Sequence, residues 1–330
     1  MAASEPVSTS VATSGISRDR QLDLLRGVAV AGMFFFSVVA TLSDSLPLFL
    51  AHNVQGHLLP GDFVLSLFLF CSGISLAMVS ARYQSLRVWE MWRKLGVRLL
   101  QMLAVSLFVT PFSTGTVLGM DEMMLNAVLT IPALLIIIGG RWCVWLVTVF
   151  TWLAQVGLLQ SHTIVESSGV YLGGYSCAVF WLPILLGGAL VMGVPMREML
   201  QQLGAWCLLC VVATLVSGWP DKMSLNVSFG VCSVILGVVL LVLFRRFSVR
   251  CEWLEYFGSK PLRMWGLMFC LLGPVRLYAE VEAKQLSLSL SPVAAVAGSV
   301  AWMGCCFLLS KWWDVLTLKQ RPSPHASVGR

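Results

Sequence analysis

The sequence predicts an all-α integral membrane protein: about ten transmembrane helices in one bundle, with both termini cytoplasmic. Three observations carry this. Of the 330 residues, 58% are hydrophobic and only 12% are charged, with a mean hydropathy of +0.84. A soluble domain carries about a quarter charged residues. The apolar residues also gather into ten runs near the length a bilayer demands, about 20 residues each, roughly 200 in all. Finally, the cations sort to one side of those runs. This composition excludes a soluble enzyme and a disordered regulator, and leaves no room for a separate soluble domain of ordinary size.

In order along the chain, residues 1–17 are rich in Ser, Thr, Ala and Val and read as a disordered tail. They lack the basic segment and apolar core of a signal peptide. A transmembrane domain follows over 18–312, then a cytoplasmic C-terminal tail over 313–330. Within the domain the runs are Leu24–Leu42, Asp62–Ala81, Leu95–Phe112, Met123–Gly139, Trp142–Leu159, Tyr175–Val194, Leu203–Trp219, Val227–Phe244, Leu262–Tyr278 and Pro292–Leu309. Gly139-Gly140-Arg141 divides the fourth from the fifth. Gly273-Pro274 is expected to kink or end the ninth. The ten cysteines fall mostly inside apolar runs, where a thiol behaves as a small hydrophobe. Cys207 and Cys210 form a C-x-x-C without a second pair, so no metal site is expected.

With the N-terminus inside, sixteen of the 22 Lys and Arg fall in cytoplasmic segments, with the largest groups at Arg82–Lys94, Arg245–Lys260 and Lys311–Arg330. The outer loops hold only Lys222 and Lys284. This asymmetry sets the orientation. It also assigns the basic residues to topology, which disposes of a nucleic-acid partner and leaves the lipid bilayer as the surrounding partner. The loop Ser43–Gly61 lies outside and holds two of the four histidines, His52 and His57.

Few residues remain to carry chemistry. Asp23 and Arg26 sit three apart on one face at the inner end of the first span. They read either as a local ion pair that anchors the helix or as a site for a phosphorylated cytosolic ligand, with Arg26 on the phosphate. Asp62 opens the second span, where a carboxylate caps free backbone N–H groups. Its other reading is a catalytic partner for a loop histidine, imidazole being the commonest general base near neutral pH. Arg98 and Arg263 lie near inner helix ends, where snorkelling explains them. Ser72-Gly73 and Ser75 suit close helix packing.

Two segments resemble a known family. Arg20-Gln-Leu-Asp23-Leu-Leu-Arg26-Gly27-Val-Ala29 is similar to the R-x-x-x-L-D-x-x-R-G-x-A opening of membrane-bound acyltransferases, with Arg18 in the strict first position. Gly61-Asp62-Phe63-Val64-Leu65-Ser66-Leu67-Phe68-Leu69-Phe70-Cys71-Ser72-Gly73-Ile74-Ser75-Leu76 resembles the A-D-L-V-F-P-x-F-L-F-x-x-G-x-S-L segment of the heparan-alpha-glucosaminide N-acetyltransferase family. Fainter echoes are Trp181-Leu-Pro183 with Gly187-Gly188, and Gly258-Ser-Lys260-Pro261-Leu262.

The resemblance implies a multi-span helical bundle that moves an acetyl group from cytosolic acetyl-CoA to an amino sugar across the membrane. It places the catalytic histidine ten residues before the Asp of the second motif, which is His52 here. Asp62 would orient the imidazole, and Ser37, at a family Asn position, would donate to the oxyanion. Acyl-CoA would be held by Arg26, Asp23, Arg93 and Lys94. The acceptor would be a sugar or glycolipid. No metal is expected, a homodimer is a candidate assembly, and a bacterial inner membrane is the expected setting. The chain departs from the family pattern at Ser37, at Gln55 where a Trp is usual, at Lys260 for an Asn and at Trp265 for a Tyr. Leu125–Leu129 also stands in place of an L-Q-R segment. These departures keep a catalytically inert relative open as an alternative. Beside it stands a transporter or flippase of an envelope precursor.

Overall fold

A computed structural model describes residues 19–43, 45–51, 57–83, 88–114, 121–160, 174–222, 225–282 and 290–319. Those residues form eleven α-helices and two short 3₁₀ turns. The helices are α1 (Arg20–Leu42), α2 (Phe63–Tyr83), α3 (Val88–Thr114), α4 (Glu122–Ile138), α5 (Arg141–Gln160), α6 (Gly174–Val191), α7 (Met196–Ser217), α8 (Val227–Phe247), α9 (Glu252–Ser259), α10 (Pro261–Glu282) and α11 (Pro292–Lys319). Five of them, α1, α2, α7, α8 and α11, are long and apolar enough to cross a membrane, and α4, α5 and α6 contribute shorter apolar stretches. The chain is thus an all-helical, multi-pass membrane protein.

Every apolar run carries a helix, and local chemistry sets the ends. Asp19 caps α1, its carboxylate accepting from the N–H groups of Gln21 and Leu22. Asp121 caps α4 in the same way at Met124, and Asn226 caps α8 at Phe229. Gly140 takes a left-handed φ of +92° between α4 and α5, as the Gly pair predicts. Asn226 begins an Asn-Val-Ser sequon, but its amide also donates to the Trp219 carbonyl at 2.7 Å, and the residue is buried. The side chain therefore holds the α7–α8 connection closed.

One expectation is corrected, and one segment gains a helix. Gly273-Pro274 does not break its helix, since α10 runs unbroken through Pro274 to Glu282. A proline removes one backbone donor, and a packed membrane helix tolerates that loss where its neighbours absorb the strain. The segment after α8, read from the sequence only as a basic cytoplasmic connection, folds into the short helix α9.

Large apolar side chains point outward along α3, α5, α7 and α11. Leu100, Leu146 and Leu215 are each about two-thirds or more exposed, at 67%, 68% and 81%. A bilayer, not protein, covers such surfaces. The core lies between α1, α2, α6 and α8, where Phe34, Phe70, Trp181 and Phe229 are fully enclosed. There α2 and α6 touch backbone to backbone. A Cβ on Gly73 would sit 1.8 Å from the Leu185 carbonyl oxygen, and one on Gly188 would sit 2.0 Å from that of Phe70. Small residues permit this approach, so Gly73 of the second motif and Gly188 of the Trp181-Leu-Pro183 segment are two sides of one helix crossing.

Arg20, Arg26, Arg245, Lys260 and Arg263 gather at one end of the bundle. Arg20 pairs with Glu255 at 2.9 Å and Arg245 with Asp19 at 2.9 Å, drawing α1, α8 and α9 together. The opposite end carries Asp62, Asp121 and Glu122.

Candidate functional site

The first motif is built into the cationic end. Asp23 is buried, and its carboxylate accepts from Arg26 at 3.2 Å. The Arg26 guanidinium also donates to the Gly258 carbonyl at 3.0 Å and to the Ser75 hydroxyl. The Ser75 hydroxyl in turn donates a hydrogen bond to the Cys71 carbonyl at 2.6 Å. One guanidinium therefore ties together α1, α2 and α9. The pair anchors the helix end, as its local reading expects, and Arg26 also lines a cavity.

That cavity has a volume of about 920 Å³ and lies between α1, α2, α3, α4, α10 and α11. Five cations line it: Arg26, Lys94, Arg98, Lys260 and Arg263. Lys260 and Arg263 both donate to the Asp314 carboxylate, and the Tyr256 hydroxyl donates to the same group at 2.8 Å. Deeper in, the walls turn apolar, with Phe68, Met102, Val105 and Met123. Arg93 is exposed and is not part of the lining, whereas Lys94, its neighbour, is. Sequence reasoning set Arg98 and Arg263 aside as snorkelling residues and Lys260 as a topology anchor. A signal was present all the same. Lys94 and Arg98 are four apart and Lys260 and Arg263 three apart, so each pair shares a helix face.

A second, small cavity of about 20 Å³ lies at the opposite end. Its walls include Ser37, Gly61, Leu65, Glu122 and Lys222. This is room for a group the size of a water molecule. Beside it, Asp62 is 1% exposed. One carboxylate oxygen accepts from the Leu59 N–H at 3.0 Å, and the other lies 3.8 Å from the Lys222 ammonium. Asp62 thus caps the turn into α2 and forms a buried ion pair. Burial pushes Lys222 below the usual lysine pKa, while Asp62 and Glu122 act in the opposite direction.

His52, the expected base, lies outside the described residues, as does Gln55. His57 is exposed in the loop before α2. Sequence reasoning missed Glu122 and Lys222, having counted Lys222 as an outer-loop charge. The readable signal was faint: a lone Lys between a Pro and a capping Asn, and an Asp-Glu pair opening an apolar run. Among the described residues no cluster of His, Cys, Asp or Glu is arranged to hold a metal ion.

The two cavities nearly meet. Leu65 lines the small one and Phe68 the large one, a single helical turn apart on α2. On α4, Glu122 faces the small cavity and its neighbour Met123 the large one. The arrangement can hold a polyanion at the cationic end, thread an uncharged arm between apolar walls, and present its tip to polar groups at the far end. Residues 18–184, just over half of the chain, match a family described as heparan-alpha-glucosaminide N-acetyltransferase, catalytic. No curated protein matches the chain.

Proposed function

Because the chain belongs to the heparan-alpha-glucosaminide N-acetyltransferase catalytic family, we propose that it carries an acetyl group from cytosolic acetyl-CoA to an amino or hydroxyl group on the other side of the membrane. The acceptor in this reading is a sugar or envelope glycan, and the setting is a bacterial inner membrane. In this reading ten crossings leave both termini in the cytosol, and the cationic end faces the cytosol with them. The observation that carries the reading is the large cavity, lined by five cations, with walls on α2 and α4 that adjoin in sequence those of the polar pocket.

Dimensions support it. From Lys94 to Val105 along α3 is eleven residues, about 16 Å of helix. The pantetheine arm of coenzyme A, from phosphate to sulfur, spans thirteen bonds, roughly 15 Å when extended. With its phosphates among Lys94, Arg98, Lys260 and Arg263, the thioester reaches the layer formed by Phe68 and Met123. Charge-assisted bonds to phosphate suit those cations.

In the reaction the acceptor N–H or O–H attacks the thioester carbonyl. The new C–N or C–O bond forms, the C–S bond breaks, and coenzyme A leaves as the thiol. His52 takes the acceptor's proton and returns it to the departing sulfur. Ser37, on the wall of the far pocket, donates to the oxyanion as negative charge develops.

Purified protein is expected to be stabilised by acetyl-CoA, by about 2.7 kcal/mol at a hundredfold excess over Kd. It should also transfer labelled acetyl to an envelope glycan extract. Absence of both effects would favour a transporter or an inert relative. His52→Ala is expected to slow transfer by roughly 10²–10⁴-fold while leaving acetyl-CoA binding intact. Full activity in that variant would remove His52 from the mechanism. Mass spectrometry of envelope glycans with and without the gene then identifies the acceptor.

A further inference from the structure

Among the uncharged polar side chains lining the large cavity, Asn126 stands apart. It lies in the second turn of α4 and is only 6% exposed. Its backbone carbonyl takes the Thr130 hydroxyl at 2.7 Å, but its side-chain oxygen accepts no hydrogen bond from any described residue. Ser75 is engaged with Arg26 and Cys71, and Gln101 is exposed. A buried amide oxygen without a donor is a costly feature to keep in a helix that apolar residues would fill.

Its position along the cavity is informative. Asn126 shares the wall with Met102 and Ser72. Met102 lies four residues past Arg98 and eight past Lys94, about 6 and 12 Å along the helix. The pantetheine arm carries two secondary amides, whose nitrogens lie roughly 7 and 12 Å from the phosphate when extended. An amide N–H therefore arrives at the level of Asn126. A side-chain amide both accepts and donates, so it pairs with a secondary amide through both of its groups.

We propose that Asn126 is the positioning residue that receives an amide N–H of the donor's pantetheine arm and so fixes how far the thioester advances toward the far pocket. The proposal rests on the donor-cavity reading above and deepens it.

The test uses the full-length protein in detergent and two probes. Coenzyme A carries the arm, and adenosine 3′,5′-bisphosphate carries the nucleotide phosphates without it. Asn126→Leu is expected to weaken coenzyme A binding about tenfold, equivalent to about 1.4 kcal/mol, and to leave the bisphosphate unchanged. Arg263→Met should weaken both probes. Because Asn126→Leu tests packing as well, Asn126→Ser is measured beside it and is expected to show the same split. Unchanged coenzyme A affinity, or equal loss for both probes in both variants, overturns the role of Asn126 while leaving the donor cavity standing. If wild-type protein binds neither probe, the donor-cavity reading fails, and this assignment fails with it.

Discussion

Lys222→Met is expected to lower the unfolding free energy by about 3–5 kcal/mol, the usual cost of removing one partner from a buried ion pair. Lys222 is 8% exposed and Asp62 1%. Without the ammonium, the Asp62 carboxylate keeps its bond from the Leu59 N–H but loses the opposite charge 3.8 Å away. Glu122, on the wall of the same pocket, loses it too. The double variant Lys222→Met with Asp62→Asn should recover part of the loss, because the charge that faced the ammonium is removed with it. The pH dependence gives an independent check. Burial holds the Lys222 pKa below its ordinary value, so the unfolded chain binds this proton more tightly than the folded one. Wild-type stability should therefore rise, relative to Lys222→Met, as pH climbs from the folded-state pKa toward the ordinary lysine value. Chemical denaturation in detergent across that range measures both effects. A Lys222→Met protein as stable as wild type, with a parallel pH profile, would show that the pair contributes nothing to the far end of the bundle.

The same lysine shows where sequence reading stops. Composition and run length locate every long helix, because a bilayer imposes one rule on each span separately. The Gly139-Gly140 break is legible for the same local reason, since one residue there adopts a left-handed φ. Cation counting assigns Lys222 to a loop, and it is in the connection between α7 and α8. What counting misses is that the connection folds inward onto Asp62, a residue 160 positions earlier. Asp23 and Arg26 were visible as a pair because they are three apart. Their partner Gly258 was not, because α9 is a short helix of eight residues in a segment read only as a basic cytoplasmic connection. The cavity draws its cations from α1, α3, α10 and the junction of α9 with α10. Each has a sufficient local explanation as an anchor, and only their convergence gives them a joint one. Proline 274 misled for the opposite reason. A local rule predicts a break there, and packing overrides it.

Gly258→Ala is expected to be among the most damaging single-methyl additions in the protein. The side chain would place its Cβ 1.7 Å from the Asp23 carbonyl oxygen and 2.6 Å from the Gly27 nitrogen. Gly27 is the reciprocal contact, where a Cβ would meet the Leu254 carbonyl oxygen at 1.9 Å. All of these atoms are backbone, so no rotamer change relieves the overlap, and α1 and α9 must separate. Overpacking a tight contact costs about 1–3 kcal/mol, occasionally more, and a backbone obstacle puts this site at the upper end. The loss also extends to function. Arg26 donates to the Gly258 carbonyl, and Lys260 follows two residues later at the start of α10, so separating the helices displaces two of the five cavity cations. Thermal unfolding of Gly258→Ala should therefore fall together with coenzyme A affinity. Gly204→Ala supplies the contrast. That glycine lies within α7 with nothing near its added methyl, and alanine favours a helix by up to about 1 kcal/mol over glycine, so its stability should hold or rise with affinity unchanged. Equal behaviour of the two variants would mean that the α1–α9 crossing does not hold the cationic end together, and the Arg26-Gly27 motif would need another explanation.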